Sequence, residues 1–316
     1  WKKIFSRTGG RAALVLLFVF VGITCLFAAD ISRVDENGEP QTGPAAVAAL
    51  KEARKAWAGE LDEERIREVI AENRRIQDTP QARSENVTEN NIAYGWQQGI
   101  EEIRDLLNCS YAAGFREHDY YRANSVTEEE AALFYENRVR LLQEWLADEA
   151  KDQFTEQEKA YLVRQYETIP TPFSYDYITG WKQLFTFAPT VVMLTMLVLG
   201  YLVAGIFSGE FAQKADAVFF TSVYGRNKAV LAKIQAGFLA VTTVYFAAFL
   251  LYTAAVLLYL GADGWNLAVQ VDWGSWKCFY HLRIWQKYLL VLVGGYLGCL
   301  FLSFLGMLVS AKTRSS

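Results

Sequence analysis

Four long apolar runs without a charged residue constrain this chain more than any other feature. They cover residues 12–29, 183–207, 234–262 and 288–311. About 20 apolar residues in a helix span the roughly 30 Å hydrocarbon core of a bilayer. Backbone polar groups in lipid must be satisfied within the segment, so each run is expected to be a transmembrane helix. The alternative is a set of buried helices in a soluble protein, but four such runs exceed what a soluble core needs.

The first run also fits a secretory signal peptide. A basic flank precedes it, and Ala28 and Ala29 follow its apolar stretch in the position of a cleavage site. The stretch is longer than a usual signal core. We therefore favour an anchoring helix over a cleaved signal.

Lysine and arginine residues near the ends of the runs predict the orientation. Residues 1–11, 208–233 and 312–316 are rich in them, with Lys2, Lys3, Arg7, Arg11, Lys214, Arg226, Lys228, Lys233, Lys312 and Arg314. Basic segments stay in the cytoplasm, so these three segments are expected inside. Residues 30–180 and 263–287 are then outside. The second of these carries Trp265, Trp273, Trp276 and Trp285, which suit a membrane interface.

Residues 30–180 are predicted to form an acidic helical domain outside the cell. They hold 31 acidic and 17 basic residues, a net charge of about −14. Pro44 suits the first turn of a helix that Gly59 interrupts, and residues 90–113 are predicted to be a second helix. Capping pairs, Thr127 with Glu130 and Thr155 with Glu158, precede two further helices.

Apolar residues at helical spacing predict the faces on which these helices pack. One face comprises Leu133, Phe134, Leu141, Leu142 and Trp145, and a matching one comprises Leu61, Ile66, Val69, Ile70 and Ile76. The fold class predicted overall is all-α: a polytopic membrane protein with four transmembrane helices and an extracytoplasmic helical domain inserted between the first and second.

The sequence offers no catalytic, cofactor or metal site. Acidic clusters at 62–64 and 128–130 occupy predicted helix starts, where the helix dipole favours negative charge. His118 and His281 lack metal-ligand spacing, and no P-loop motif occurs. Cys109 and Cys278 both fall in the predicted outer segments, so a disulfide between them is compatible with the sequence.

The segment between the second and third runs carries the most informative motif. Residues 207–240 read FSGEFAQKADAVFFTSVYGRNKAVLAKIQAGFLA, with a predicted short amphipathic helix over 210–220 and a turn at Gly225. A plain basic loop is the alternative. A segment of this length is too short for a domain but presents a ridge to a cytoplasmic partner.

This segment resembles the first cytoplasmic loop of ABC-2-type transporter permeases from Gram-positive bacteria. The matching residues are Phe207, Ser208, Gly209, Glu210, Phe211, Asp216, Thr221, Ser222, Tyr224, Gly225, Arg226, Lys228, Ala232, Lys233 and Ile234. The resemblance covers the membrane-spanning half of the chain and hardly extends to residues 30–180.

The resemblance implies the permease subunit of an ATP-driven exporter in a bacterial plasma membrane. Such a subunit pairs with a second permease, in a homodimer or heterodimer, and with cytoplasmic ABC ATPase subunits. The segment after the second span then acts as a coupling helix that docks on the ATPase. Carried over to this chain, Glu210, Phe211, Asp216, Tyr224, Gly225 and Arg226 are the expected contact residues. The substrate would be a peptide, an antibiotic or a lipid-like molecule.

Family permeases usually have six spans, whereas this chain shows four, begins at Trp1 and ends just past a basic segment. The expectation is that it is part of a longer protein with two further spans. Within the fourth run, Gly294 and Gly298 have the small-residue spacing that allows close helix contact.

Two other functions compete with the exporter. One is a membrane sensor or scaffold whose outer domain binds a ligand. The other is a membrane-embedded enzyme, which the lack of charged residues within the runs disfavours. That same lack argues against an ion-coupled transporter. No feature of the sequence indicates binding of nucleic acid.

Overall fold

The computed structural model describes the backbone of residues 8–212 and 228–313, and their side chains except those of 208–212 and 313. The chain forms two compact units. The four-helix unit comprises Trp1–Ala29, Gly180–Gly261 and Tyr288–Ser316. The insert domain comprises Asp30–Thr179 together with Ala262–Lys287.

Four helices are long and apolar enough to cross a membrane, which confirms the four predicted runs. They are α1 (Thr8–Ala29), α8 (Thr179–Ala212), α9 (Lys228–Leu260) and α10 (Ile284–Thr313). Each of the four is longer than its charge-free run. The reason is that a lysine or threonine at the edge of an apolar run does not break a helix, so the backbone continues past the apolar stretch.

Close packing holds the four-helix unit together. Helix α1 packs on α9, and Leu17 and Val21 of α1 are fully buried, as are Val241 and Ala248 of α9. The first turn of α1 also approaches α8. A Cβ added at Gly9 would lie 2.5 Å from the Tyr201 hydroxyl oxygen.

The insert domain is mainly helical. Its α-helices are α2 (Pro44–Lys55), α3 (Glu63–Gln77), α4 (Val87–Gln97), α5 (Glu101–Ser110), α6 (Phe134–Ala147) and α7 (Glu156–Glu167). Short 3-10 helices cover Arg122–Ser125, Glu128–Leu133, Val269–Val271 and Trp273–Ser275. The all-α expectation needs one amendment, because two small antiparallel sheets pair β1 (Ser32–Val34) with β2 (Pro40–Thr42) and β3 (Gly59–Glu60) with β4 (Ser174–Tyr175).

Local start signals predicted the helix beginnings well. Pro44 is the first residue of α2, and the Thr155–Glu158 capping box opens α7. The Thr127–Glu130 box is also present, but it opens the 3-10 stretch that leads into α6. Helix α2 ends at Lys55, and Gly59 lies beyond it in β3 with a φ of 137°, a backbone conformation that favours glycine.

The prediction of one helix over 90–113 was wrong. The structure has two helices there, α4 and α5, separated by residues 98–100. Gly99 lies at the break, and glycine has the lowest helix propensity apart from proline. A Cβ added at Gly99 would come 3.4 Å from the Ala53 carbonyl oxygen, so the break also lets α2 approach closely.

The predicted apolar faces form the core of the insert domain. Buried side chains include Leu61, Ile66, Val69, Ile70, Ile76, Phe134, Leu141, Leu142 and Trp145. Leu133 is the exception, with 41% of its surface exposed. It belongs to the 3-10 stretch, where the turn geometry differs from the 3.6-residue period on which the prediction rested.

Residues 262–287 belong to the insert domain and contribute to its core, although a separate outer loop was predicted over 263–287. Trp276 is buried and its ring lies 5.3 Å from that of Phe134 and 6.0 Å from that of Phe173. The placement of Trp276 at a membrane interface was therefore wrong. Trp265 and Trp273 are exposed.

Candidate functional site

The predicted coupling segment connects α8 to α9. Helix α8 continues through Glu210 and Phe211 to Ala212, and α9 begins at Lys228. Both ends of the segment are therefore helical extensions of the spans. Asp216, Tyr224, Gly225 and Arg226 lie outside the described residues. Their contact with an ATPase stays a prediction.

The two ends of this segment meet. The Lys233 ammonium of α9 lies 5.0 Å from the centre of the Phe207 ring of α8. A cation over an aromatic ring is attracted by the ring quadrupole, by about 0.5–2 kcal/mol depending on desolvation. Phe207 and Lys233 both belong to the motif that resembles the permease loop. Two residues of the motif therefore bring α8 and α9 into contact.

Hydroxyl groups tie the helices of the four-helix unit to each other. The Tyr252 hydroxyl of α9 donates to the Leu184 carbonyl of α8 at 2.9 Å, and that of Tyr245 donates to the Leu292 carbonyl of α10 at 2.7 Å. The hydroxyls of Thr242 and Tyr296 lie 2.7 Å apart. In an apolar unit each of these groups needs a partner, so the bonds fix the relative register of α8, α9 and α10.

Two glycines mark close approaches between helices of this unit. A Cβ added at Gly295 of α10 would lie 2.5 Å from the Tyr245 hydroxyl oxygen and 2.9 Å from Val192 Cγ2. One added at Gly237 of α9 would lie 2.9 Å from the sulfur of Met307. Both positions therefore depend on the absence of a side chain.

The two predicted packing glycines, Gly294 and Gly298, have different surroundings. Gly298 faces Met196, whose methyl carbon is 3.2 Å from an added Cβ. At Gly294 an added Cβ meets no atom within 4 Å among the described residues. Of the predicted pair, only Gly298 is a contact position, and the neighbouring Gly295 is more crowded than either.

A buried ion-pair network is the most polar feature of the insert domain. Arg54 of α2 donates to Glu102 Oε1 at 2.9 Å, to the Thr179 hydroxyl at 2.6 Å and to Glu101 Oε2 at 2.6 Å. The Tyr175 hydroxyl donates to the other Glu102 oxygen at 2.8 Å. Each of these side chains has a hydrogen-bond partner within the network. The network therefore links α2, α5, β4 and Thr179, the first residue of α8.

The charges within this network set its protonation. Burial opposes the charge on Arg54, but Glu102 and Glu101 outweigh that effect and raise its pKa. Burial and the neighbouring Glu102 carboxylate both raise the pKa of Tyr175. The arginine is therefore charged and the tyrosine neutral at every physiological pH, so the network is a fixed structural support rather than a proton relay.

A second buried arginine binds the backbone of residues 276–278 within the insert domain. Arg138 donates to the Trp276 carbonyl at 3.3 Å and to the Cys278 carbonyl at 3.0 Å, and its guanidinium lies 4.0 Å from the centre of the Tyr166 ring. Burial lowers its pKa. No sequence pattern predicts this contact, because the partners are backbone carbonyls far away along the chain.

The histidines and cysteines do not form a chemical site. His118 stacks on Trp273 with ring centres 5.3 Å apart. All four cysteines are free thiols, Cys109 and Cys278 included. Burial raises the pKa of the Cys109 thiol to about 11, which keeps it protonated at neutral pH. Across residues 8–212 and 228–313, no group of three His, Cys, Asp or Glu side chains is placed to hold a metal.

No protein-family model, curated protein or solved structure compared with the chain matches it. The resemblance to ABC-2-type permeases therefore rests on the sequence alone, chiefly on the motif residues within 207–234.

Proposed function

We propose that this chain is a membrane-spanning permease subunit of an ATP-driven ABC-2-type exporter. The observation that carries the proposal is the contact between Phe207 and Lys233. It joins the two helices that flank the motif-bearing segment, and both are long enough to cross a membrane. A short segment whose two flanking helices contact each other is a suitable element for transmitting the movement of a cytoplasmic ATPase to the helices.

The proposed orientation places this segment in the cytoplasm. The basic residues at 1–11, 208–233 and 312–316 support it through the positive-inside rule. The insert domain would then lie outside a bacterial plasma membrane. ATP hydrolysis would take place in partner subunits, and a second permease, identical or different, would complete the pathway for a peptide, antibiotic or lipid-like substrate.

Co-purification with an ATPase tests the proposal. The full chain is co-expressed with a P-loop ATPase encoded beside its gene, solubilised in detergent and recovered by an affinity tag. We expect the ATPase to be retained, and Glu210→Lys and Gly225→Val to reduce its recovery severalfold. Asp152→Asn, an exposed change in the insert domain, serves as the control that should leave recovery unchanged.

Deletion of residues 208–228 is the decisive variant. If the ATPase were still recovered with the deleted chain at the wild-type level, the coupling role would be refuted. Monodisperse elution of each variant in size-exclusion chromatography shows that a loss of recovery is not a loss of folding.

A further inference from the structure

The insert domain contains a cleft of about 450 Å³ between the segment 170–176 and the segments 264–268 and 281–283. This volume falls within the range of roughly 300–1,000 Å³ that is typical of ligand sites. All of its lining belongs to the insert domain. None of the roles proposed above uses this cleft.

One wall of the cleft is the strand edge of β4. The register pairs Glu60 with Ser174 and Gly59 with Tyr175, and the Leu61 amide donates to the Phe173 carbonyl at 2.8 Å. In an antiparallel ladder hydrogen-bonded and non-hydrogen-bonded pairs alternate, so Ser174 occupies a non-hydrogen-bonded position. Its N–H and C=O therefore point away from β3.

Ser174 is exposed, and no hydrogen bond from another described residue reaches its backbone groups. An unpaired strand edge is a template for another extended chain. Pro172, Phe173, Ser174 and Asp176 of this wall line the cleft, while Tyr175 is buried and does not. The exposed Ser174 and the buried Tyr175 point to opposite faces of β4, as successive residues of a strand do.

The opposite side of the cleft supplies side-chain contacts. Trp265 is 55% exposed there and presents a broad aromatic surface. Arg283 donates from Nη1 to the Asn266 carbonyl at 2.9 Å, which holds its guanidinium beside the cleft. With Asp176 on the first wall, the cleft offers one carboxylate and one guanidinium to a ligand.

We propose that this cleft binds a short extended peptide of net positive charge, which adds as a strand to the edge of β4 at Ser174. Main-chain hydrogen bonds give such a complex its affinity, and flanking side chains give it specificity. A positive ligand is favoured because residues 30–180 carry a net charge of about −14. Asp176 receives a basic side chain of the peptide, and Arg283 receives its terminal carboxylate.

This inference does not rest on the exporter proposal, since peptide binding needs no ATPase. The test uses the full chain in lipid nanodiscs and the peptide Lys-Val-Lys-Val-Lys with a free carboxyl terminus. Isothermal titration calorimetry measures its dissociation constant. Saturable binding with a stoichiometry of one is expected, and its absence at millimolar peptide would overturn the proposal.

Backbone methylation of the peptide tests the strand geometry without altering the protein. One version carries N-methyl groups on both valines, and the other carries them on the second and third lysines. Alternate amides of a strand face opposite edges, so only one version loses bonds to β4. It should bind about tenfold more weakly, whereas the other stays within about threefold of the parent peptide. Equal effects of the two methylations would refute strand addition.

Charge substitutions test the side-chain assignments. Asp176→Asn should weaken the peptide about three- to tenfold at low salt, while Asp152→Asn, an exposed acid away from the cleft, should not. Asparagine can still accept the Tyr177 amide, which donates to Asp176 Oδ1 at 2.7 Å, so the fold is preserved. Arg283→Gln should weaken the free-acid peptide but not its C-terminal amide. Unchanged affinity in both variants would refute recognition by these charges.

Discussion

Arg54 and Glu102 form a buried ion pair, with Nη1 and Oε1 separated by 2.9 Å and residue exposures of 6% and 3%. They lie 48 residues apart in sequence and join α2 to α5. Removing charges from water costs several kcal/mol for each ion, and additional hydrogen bonds must offset this. Here Thr179 and Tyr175 supply them, so the pair is held in a fixed geometry.

Arg54→Met should therefore destabilise the insert domain strongly. The change leaves the Glu102 carboxylate buried without its cation, which costs about 3–5 kcal/mol. Thermal unfolding of the full chain in detergent, followed by circular dichroism, measures the loss. The matched control is Arg67→Met, which breaks the exposed pair with Glu63 and should cost less than about 1 kcal/mol. Similar losses in both variants would contradict the network's structural role.

The attachment of residues 262–287 to α2 should depend on pH. Lys51 and Lys55 contact the two Asp263 oxygens at 2.5 and 2.6 Å. Burial acts to raise the pKa of Asp263, but the two lysines outweigh it and lower the pKa. The stabilisation is complete above the unfolded pKa of 3.8 and is lost as the pH falls through the lower folded value.

Hydrogen exchange of residues 262–287 between pH 6 and pH 3 can detect this loss. We expect their protection to fall at the acidic end in the wild type after correction for the intrinsic exchange rate. Asp263→Asn should already be weakened at pH 6 and should show less additional change on acidification. A variant with the same acid response as the wild type would show that Asp263 is not the titrating group.

Local rules explain which parts of the fold the sequence predicted. The start of α7 follows from Thr155 and Glu158, two residues that contact each other within one turn. The buried face of α3 follows from the spacing of Ile66, Val69 and Ile70. Each of these signals lies within a few residues of the structure that it specifies.

The remaining features depend on contacts between distant segments. Arg138 meets Trp276 across 138 positions, and neither residue carries a local mark of the contact. The cleft was not predicted either, because its walls come from segments about 90 residues apart. The free edge at Ser174 depends on the register with β3, which no pattern in residues 170–176 specifies.

Adjacent glycines in α10 provide a matched test of helix packing. Gly295→Ala places a methyl group against Tyr245 and Val192, so we expect a loss of about 1–3 kcal/mol from overpacking. Gly294→Ala should be neutral or slightly stabilising, because alanine is the better helix former by about 1 kcal/mol. Thermal unfolding in detergent compares them. Greater harm from the Gly294 change would instead indicate that this position packs against another subunit.

The proposed orientation can be tested by labelling single cysteines in intact cells. In a chain whose four natural cysteines are replaced by alanine or serine, Glu85→Cys and Lys228→Cys introduce thiols at two exposed positions. Glu85 belongs to the insert domain, and Lys228 begins α9. A membrane-impermeant maleimide should label the first in intact cells and the second only after permeabilisation. Both thiols should react in detergent, which controls for local accessibility. The reverse pattern would place the insert domain in the cytoplasm and remove the basis for docking an ATPase between α8 and α9.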